Sequence, residues 1–529
     1  MGEVDPGDQP APTTGLALAE EVRTAVAAAL GLPAEDIDGA QDLFELGLDS
    51  LGLMALVGGW RRAGSTVTFS DLAEDPRLGS WIAVLASAAA SGPAAVNEPV
   101  GEPASDEDAP FPLATMQHAY WIGRQDGQPL GGVAAHFYTE FDGHGLDPGK
   151  LAEAFARVLG RHPQLRARVL PDGTQVIDPP DEGVRLAVHD LRAMPEQQRT
   201  QRLAWMREHY THRKLAVENG EMADLALSLL PGGATRLHLD LDMIAADAVS
   251  LRVLLDDLRH YYQAPGQPLP GLRYRFDRYL RDRAASQEQA AVRARRWWSQ
   301  RLSELPSPPA LPSVIDPSEP TPPQSACSRS TRHSHWIEPT RLARLAANTR
   351  KHALTLSSAL ATAFAEVLSA YSGQSEFLLN FPLFDRETLH PDVPALVGDF
   401  SSSLLLPVEL DASRSFTEQA HALQRQLHAC VEHGAYGGVQ VLRDLARAHE
   451  ERQVLAPVVY TSAVGLGPLF SGPVRECFGE PAWIISQAPQ VWLDAQVTEL
   501  ADGLLLNWDL REHAFRPGLV EAAFAAYRQ

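Results

Sequence analysis

The chain has 529 residues, more than one ordinary domain needs, and its apolar fraction of 45% is enough to build large cores. A net charge of -22 excludes nucleic acid and acidic membranes as partners, because neutralising phosphates requires clustered lysine and arginine. The acidic, Pro-rich start and the lack of a long apolar run predict neither secretion nor a membrane span. The widely spaced cysteines predict no disulfide framework or zinc site, and we expect a reducing cytoplasm; they are Cys327, Cys430 and Cys477.

Two Pro-rich stretches interrupt the sequence, at residues 96–110 and 305–325. Clusters of this kind are typical of linkers between folded segments. They divide the chain into three parts, residues 14–95, 111–304 and 326–529. The first part has the size of a small module and the others have the size of ordinary domains. We therefore expect a small domain followed by two larger lobes.

The first part contains three apolar stripes at helical spacing. They consist of Leu18, Val22, Val26 and Leu30, then Leu53, Val57 and Trp60, then Leu78, Ile82 and Leu85. Ser50 stands at the predicted start of the second helix, where serine is favoured because its hydroxyl accepts a backbone hydrogen bond. The spacing predicts a helical bundle, and by itself it makes Ser50 an ordinary capping residue.

The segment DLFELGLDSL, which contains Ser50, resembles the signature of carrier proteins. This resemblance implies an all-α four-helix carrier bundle in which a phosphopantetheinyl transferase attaches 4'-phosphopantetheine to Ser50. The start of a helix suits such an attachment, because its free N–H groups and positive dipole end favour phosphate. Asp49 precedes the serine and is similar to the aspartate of aryl carriers that open an assembly line.

The segment LDMIAADAVSLR joins a predicted strand to a predicted helix. Upstream, apolar and polar residues alternate with the period of a half-buried strand, which puts Asp242 on the polar, solvated face. Downstream, leucines recur at helical spacing, so Asp247 is predicted to be the N-cap and Ser250 to lie in the first turn. Helix capping alone would be enough to explain Asp247.

Six stretches resemble the core motifs of heterocyclization domains, the cyclizing branch of the condensation domains of nonribosomal peptide synthetases. They are FPLATMQHAYWIGR, GRHPQLRARV, LDMIAADAVSLR, FPLFDRETLHPDVPALVGDFSSSLLL, APVVYTSAVGLG and SQAPQVWLDAQ, and they occur in the order that the family has. The resemblance runs from about Phe111 to Asp509. It implies an α/β two-lobed condensation-type fold, a chloramphenicol acetyltransferase-like pseudo-dimer, preceded by the carrier bundle.

The resemblance implies a structural role for Asp242, Asp247 and Ser250 of the LDMIAADAVSLR segment. It also implies that Arg166 holds Asp247. Met243 stands where the amide-forming branch has a histidine, and a thioether cannot carry protons. We therefore expect the proton-transfer chemistry to come from the second lobe.

Two motifs of the second lobe carry the expected catalytic residues. Asp494 and Thr461 match positions that the family uses for cyclodehydration, and Ser462 and Gln487 belong to the same two motifs. Without the resemblance, Thr461 would be an ordinary β-branched strand residue and Asp494 a solvated strand end. Ala488 departs from the family, which usually has threonine there, so a hydroxyl contribution at this position is absent.

The implied function is that of an initiation didomain in siderophore-type biosynthesis. The carrier would hold a salicyl-like aryl thioester, loaded by a stand-alone aryl-acid adenylating ligase. The cyclization domain would condense it with cysteine, or with serine or threonine, on a downstream peptidyl carrier and close a thiazoline or oxazoline. Two alternatives remain: condensation to a linear amide, and a non-catalytic docking module. No metal-binding or nucleotide-binding motif is present.

Overall fold

In the computed structural model, the chain packs into two compact units, residues 1–101 with 347–355 and residues 102–346 with 356–529. The described residues are 15–30, 32–43, 46, 48, 50–62, 65, 67, 71–72, 75–90, 109–180, 186–316, 329–450, 453–500 and 503–529. Asp49, Cys327 and parts of both Pro-rich stretches, residues 96–108 and 317–325, lie outside the described residues, as does the Ser50 side chain.

The N-terminal part is helical, as the stripes predict. Its longer described helices are α1 (Gly15–Leu30), α2 (Ser50–Arg62) and α3 (Leu78–Ala90). Trp81 is fully buried, packs edge-on against Trp60 with ring centroids 6.0 Å apart, and donates its indole N–H to the Leu72 carbonyl at 2.8 Å. Leu78 and Leu85 of the third stripe are thus buried as predicted, while Trp81 and not Ile82 fills the core between them.

The larger unit has two lobes, and the first is built on a five-stranded sheet in the order β12-β2-β7-β6-β5. Its strands are β2 (His136–His144), β5 (Ala187–Asp190), β6 (Ala223–Leu229), β7 (Ala234–Asp242) and β12 (Glu480–Gln487). Its helices are α4 (Thr115–Gly123), α5 (Pro148–Arg161), α6 (Glu196–Thr211), α7 (Ala248–Gln263) and α8 (Phe276–Ser299). The lobe also contains the short strands β1 (Phe111–Pro112), β3 (Ala167–Val169) and β4 (Thr174–Ile177), which form a small sheet in the order β1-β4-β3.

The second lobe is built on a six-stranded sheet in the order β10-β9-β11-β13-β14-β8. Its strands are β8 (Thr331–Ile337), β9 (Glu376–Phe384), β10 (Ser401–Glu409), β11 (Val458–Ala463), β13 (Leu493–Leu500) and β14 (Gly503–Leu510). Its helices are α9 (Pro339–Lys351), α10 (Leu356–Ser372), α11 (Phe416–Glu432), α12 (Gly438–Ala448), α13 (Gly472–Phe478) and α14 (Leu519–Tyr527). The predicted two-lobed α/β fold is confirmed.

The structure differs from the sequence-based division at β12. This strand follows the second lobe's β11 in the chain, yet it pairs antiparallel with β2 in the first lobe's sheet. The backbones approach closely there: a Cβ on Gly143 would lie 2.2 Å from the Phe478 carbonyl oxygen, and one on Gly479 would lie 2.0 Å from that of Asp142. Gly479 also has φ of 104°, which glycine adopts without strain. Two glycines therefore allow a second-lobe segment to join the first lobe.

Strand β7 is buried on both faces, whereas its alternating sequence predicts a half-buried strand. His238, Asp240 and Asp242 occupy the face expected to be solvated, and each has at most 2% of its surface exposed. Helix α6 contributes Met206 and Tyr210 to the packing on that face. Each of the three is consequently paired with another side chain: His238 with Tyr138 and Ser228, Asp240 with Arg213, and Asp242 with Arg124.

Within the described residues, no single helix has the length and apolar character needed to cross a membrane. Helices α9 and α10 reach this length and apolar character only when they are taken together, and the pair is bent by 94°. The criterion is one of length and composition alone.

Candidate active site

A cavity of about 230 Å³ lies between the two lobes of the larger unit. Its wall is mostly apolar, and Met243, Phe137 and Leu241 form part of the first lobe's side. Polar and charged side chains gather mainly on the other side. Those in the described wall include Asp247, Arg332, Asn380, Ser401, Ser403, Thr461, Ser486, Gln487, Gln490, Asp494, Gln496, Thr498 and Asn507. The cavity therefore combines an apolar binding surface with a concentrated polar region.

Asp494 and Thr461 meet in that polar region. They lie on the neighbouring parallel strands β13 and β11, in a register that pairs Thr461 with Gln496. The Thr461 hydroxyl donates to Asp494 Oδ1 at 2.8 Å, and the Gln496 amide donates to Asp494 Oδ2 at 2.7 Å. Both carboxyl oxygens are thus held in fixed positions.

The surroundings of Asp494 favour its neutral form. Burial, and after it the nearby charge of Asp509, raise the pKa of this carboxyl, which is about 7 when all its surroundings act together. The hydrogen bonds from Gln496 and Thr461 and the charge of Arg332 act in the opposite direction. A carboxyl group with a pKa near 7 can both donate and accept a proton at neutral pH, which is what general acid–base catalysis requires.

The other two predicted catalytic residues have different positions. Gln487 lines the cavity, and its side-chain oxygen is buried without a hydrogen-bond partner among the described residues. Ser462 does not line the described cavity, because successive residues of a strand point to opposite faces and Thr461 takes the cavity face. The structure therefore removes Ser462 from the set of residues that could reach a substrate.

Asp242 is fully buried, contrary to the solvated position that the alternation predicts. Arg124, at the end of α4, donates to Asp242 Oδ2 at 2.8 Å, and the backbone N–H of Ile244 donates to Oδ1 at 3.1 Å. Burial raises the pKa of this carboxyl, and the neighbouring Arg124 charge opposes that rise. Asp242 therefore joins the end of β7 to α4 and does not line the cavity as described.

Asp247 caps α7, as predicted, by accepting a hydrogen bond from the Ser250 backbone N–H at 2.7 Å. It also accepts a hydrogen bond from Arg386 at 2.9 Å. The Ser250 hydroxyl donates to the Gly398 carbonyl at 2.7 Å. This strand–helix junction thus attaches the first lobe to the segment between β9 and β10 in the second.

The prediction that Arg166 holds Asp247 was wrong. Arg166 donates to the backbone carbonyls of Leu159 and Asp178 instead. Arg386 forms the ion pair with Asp247, and it also donates to the Ser250 hydroxyl at 2.7 Å. Arg166 belongs to a turn that packs within the first lobe, whereas Arg386 follows β9 and reaches the junction from the second.

Comparison with known families fixes the class of protein. Residues 109–464 match the Condensation domain family, and residues 20–85 match the Phosphopantetheine attachment site. The chain belongs to the condensation-domain family. Its N-terminal part is a carrier domain with a phosphopantetheine attachment site, which makes a phosphopantetheinyl transferase a required partner.

Similarity to solved structures and to curated relatives indicates the branch of the condensation-domain family to which the chain belongs. The cyclization-docking bidomain of the EpoB nonribosomal peptide synthetase from Sorangium cellulosum is 32% identical, over 80% of this chain and 84% of that one, with a TM-score of 0.71. Phenyloxazoline synthase MbtB of Mycobacterium tuberculosis is 48% identical over 96% of this chain, and pyochelin synthetase PchE of Pseudomonas aeruginosa is 40% identical over 98%. The chain is thus a carrier and cyclization-type condensation pair, and it spans about a third of those two relatives (35% of each).

Sequence reasoning did not single out two arginines that organise this condensation domain, Arg124 and Arg386. Both lie inside stretches quoted for the family resemblance, Arg124 directly after α4 and Arg386 two residues after β9. An arginine at the end of a buried element is a signal of ion pairing, because its charge must be neutralised there. The spacing of residues does not identify the partner, which lies more than a hundred residues away in both cases.

A double-mutant cycle tests the Asp247–Arg386 ion pair. Removing the guanidinium by Arg386→Met leaves the buried Asp247 carboxylate unpaired, and we expect a loss of about 3 to 5 kcal/mol in the free energy of unfolding. Combined with Asp247→Asn, the two changes should be non-additive by about 1 to 3 kcal/mol in urea unfolding. Arg166→Met is the matched control and should add independently to Asp247→Asn. Coupling of Asp247 to Arg166 and not to Arg386 would contradict the assignment.

Ser50 is the first residue of the carrier helix α2. The first N–H groups of a helix have no partner within the helix, and together with the helix dipole they favour a phosphate at this end. The backbone at Ser50 therefore fits the phosphodiester of phosphopantetheine.

Proposed function

We propose that this didomain forms a heterocycle from an aryl group and an amino acid. Ser50 is the residue that we assign to phosphopantetheine. When attached, that group supplies the thiol that holds the acyl chain as a thioester. The observation that carries the proposal is the Asp494–Thr461 pair in the cavity wall, with the pKa of Asp494 near 7.

The proposed reaction has two stages. First, the amine of an amino acid on a downstream carrier attacks the aryl thioester, and the thiol leaves as an amide forms. Then the side chain of that amino acid attacks the amide carbonyl, and Asp494 takes the proton from the attacking group and returns it to the former carbonyl oxygen. Loss of water from the ring gives the product. Ring closure is intramolecular, so holding the amide in the cavity lowers much of its barrier.

The proposal also specifies the heteroatom of the ring. The relative with 48% identity is named a phenyloxazoline synthase, and an oxazoline contains oxygen. We therefore propose serine or threonine as the first choice of nucleophile here, whereas the sequence analysis put cysteine first. An aryl acyl group agrees with the same name and with the mostly apolar cavity wall.

The partners follow from this assignment. We propose that a separate aryl-acid adenylating ligase loads the carrier and that an amino-acid-loaded carrier domain supplies the nucleophile. A reducing cytoplasm suits the chain, since the described Cys430 and Cys477 are both free thiols.

Reconstitution with mass spectrometry tests the function. The didomain, loaded with a salicyl group, is mixed with downstream carriers that bear serine, threonine or cysteine, and the intact mass of the downstream carrier is measured. Acyl transfer followed by loss of one water supports heterocyclization, and the fastest of the three carriers identifies the heteroatom. Transfer without loss of water would indicate linear condensation. An unchanged downstream carrier would indicate a docking module.

A further inference from the structure

A row of polar side chains crosses four neighbouring strands of the second lobe's sheet, β11, β13, β14 and β8. Residues that are paired across these strands, or that stand two apart along one of them, share a face of the sheet. The row consists of Thr461, Asp494, Gln496, Asn507, Asp509 and Arg332. All of these except Asp509 line the described cavity. Asp494 is therefore one member of a continuous polar layer in the cavity wall.

Gln496 makes three hydrogen bonds through its side-chain amide. Its nitrogen donates to Asp494 Oδ2 at 2.7 Å and to the Ser486 hydroxyl oxygen at 2.6 Å. Its oxygen accepts a hydrogen bond from the Asn507 amide nitrogen at 3.1 Å. Both N–H groups and the oxygen of this amide are thus bonded within the protein.

The three partners fix which end of the Gln496 amide faces Asp494. An ionised carboxylate can only accept hydrogen bonds. The Ser486 hydroxyl donates to Asp509 Oδ2, 3.4 Å away, so its oxygen accepts from Gln496. Turning the amide over would place its oxygen against these two acceptors and its nitrogen against the Asn507 nitrogen. The amide nitrogen is therefore held towards Asp494.

An ion pair at the end of the row supports this orientation. Arg332 donates to both carboxyl oxygens of Asp509, at 2.6 Å to Oδ1, and the two side chains are only 5% and 2% exposed. The backbone N–H of Ser486 also donates to Asp509 Oδ2, at 3.2 Å. The fixed carboxylate of Asp509 thus orients the Ser486 hydroxyl, and that hydroxyl orients Gln496.

The Gln496 amide makes the two oxygens of Asp494 unequal. An amide nitrogen only donates, and a hydrogen bond of this kind favours the charged form of the oxygen that accepts it. A proton on Oδ2 would weaken the bond from Gln496. The Thr461 hydroxyl beside Oδ1 donates to the carboxylate, and after rotation it can accept from a carboxylic acid. Oδ1 is therefore the better of the two oxygens to carry a proton.

We propose that Gln496 is a positioning residue that keeps the transferable proton of Asp494 on Oδ1, beside Thr461. The proposal rests on the heterocyclization function above. In ring closure, the attacking heteroatom gives its proton to Oδ1 and bonds to the amide carbon, while the carbonyl double bond becomes a single bond. Oδ1 then gives this proton to the former carbonyl oxygen. Asp494 ends as the carboxylate that it was at the start, and Gln496 neither gains nor loses a proton.

The pH dependence of water loss reports on this hydrogen bond. Burial raises the pKa of Asp494, which is about 7, and the hydrogen bond from Gln496 is the strongest influence in the opposite direction. The charged and titratable groups that act on this carboxyl are Asp509 on β14, Arg332 on β8 and Tyr120 on α4. Asp494 must be ionised to take the proton, so the wild-type rate should rise with pH around a midpoint near 7.

The substitution Gln496→Met tests the proposal, because methionine has a similar length and no N–H group. We expect the midpoint to move up by about one pH unit, the scale of losing a hydrogen bond to a charged group. Water loss should then be about fivefold slower at pH 7 and recover at alkaline pH, while amide formation keeps its wild-type rate. Gln201→Met, the same change at an exposed glutamine of α6, is the control and should leave the midpoint unchanged.

A second substitution, Asn507→Leu, removes the hydrogen bond to the Gln496 oxygen without adding a charge. We expect a smaller upward shift of the midpoint, because Asp494 and Ser486 still orient the amide. In a protein that already carries Gln496→Met, Asn507→Leu should cause no further shift. Thermal unfolding shows whether each variant folds. If Gln496→Met does not fold, an unchanged midpoint in folded Asn507→Leu would contradict the proposal.

The outcomes distinguish this proposal from the function on which it rests. If Asp494→Asn stops water loss but Gln496→Met keeps the wild-type midpoint, the role of Gln496 is wrong and heterocyclization stands. A rate that falls equally at every pH, with an unmoved midpoint, would mean that Gln496 only supports the structure, and it would also overturn the proposal. If no water is lost even by the wild-type protein, heterocyclization itself fails.

Discussion

Replacing Asp494 with asparagine is expected to leave amide formation intact and to slow water loss by about 100- to 10,000-fold, the range for losing a general acid–base group. Asparagine has nearly the same shape, so the packing around Thr461 and Gln496 is kept while the titrating proton is lost. The measurement is the intact mass of the downstream carrier over time. The linear amide should accumulate in the variant and disappear in the wild-type protein.

A stability measurement controls for misfolding of Asp494→Asn. The folded-state pKa of Asp494 is near 7, above its ordinary value of 3.8, so the folded protein binds this proton more tightly than the unfolded chain does. The free energy of unfolding should therefore fall as pH rises from about 4 to 7, and the asparagine variant should lose that contribution. Cyclized product forming at the wild-type rate in the variant would contradict the role of Asp494.

The substitution Ser50→Ala is expected to abolish every product that depends on the carrier. Without the hydroxyl oxygen no phosphodiester can form, so the acyl group has no attachment point on this chain. The measurement is incubation with coenzyme A and a phosphopantetheinyl transferase, followed by the intact mass of the didomain. The wild-type protein should gain one phosphopantetheinyl group and the variant none.

Ser87→Ala is the control for this experiment, since Ser87 is an exposed serine on another helix of the same carrier domain. It should be modified as fully as the wild-type protein. Modification of the Ser50→Ala didomain would move the attachment site elsewhere and remove the carrier assignment of this serine.

Local patterns in the sequence predicted the junction at Asp247 well. An N-cap depends on residues within one turn, so the leucine spacing was enough to fix the start of α7. The burial of Asp242 could not be predicted in this way, because the alternation of residues in a strand indicates which of them share a face but not what covers that face. The helix that buries this side of the sheet comes from another part of the chain.

The partners of charged groups could not be predicted from spacing. Arg386 and Asp247 are 139 residues apart, and they meet only because the segment after β9 reaches the start of α7 in the folded protein. The prediction of Ser462 as a catalytic residue was wrong for a different reason. Successive residues of a strand point to opposite faces, so Ser462 points away from the cavity that Thr461 faces. The family resemblance located the right motif, while strand geometry decides which of its residues faces a substrate.

Strand β12 limits how the protein can be divided or opened. A fragment that stopped in the second Pro-rich stretch would contain the first lobe's other strands but would leave the side of β2 that pairs with residues 480–487 uncovered. Unpaired N–H and C=O groups along a strand edge are a template for association with other chains. The two lobes are therefore unsuited to separate expression, and any motion that widens the cavity must keep this strand pairing or rupture a row of backbone hydrogen bonds.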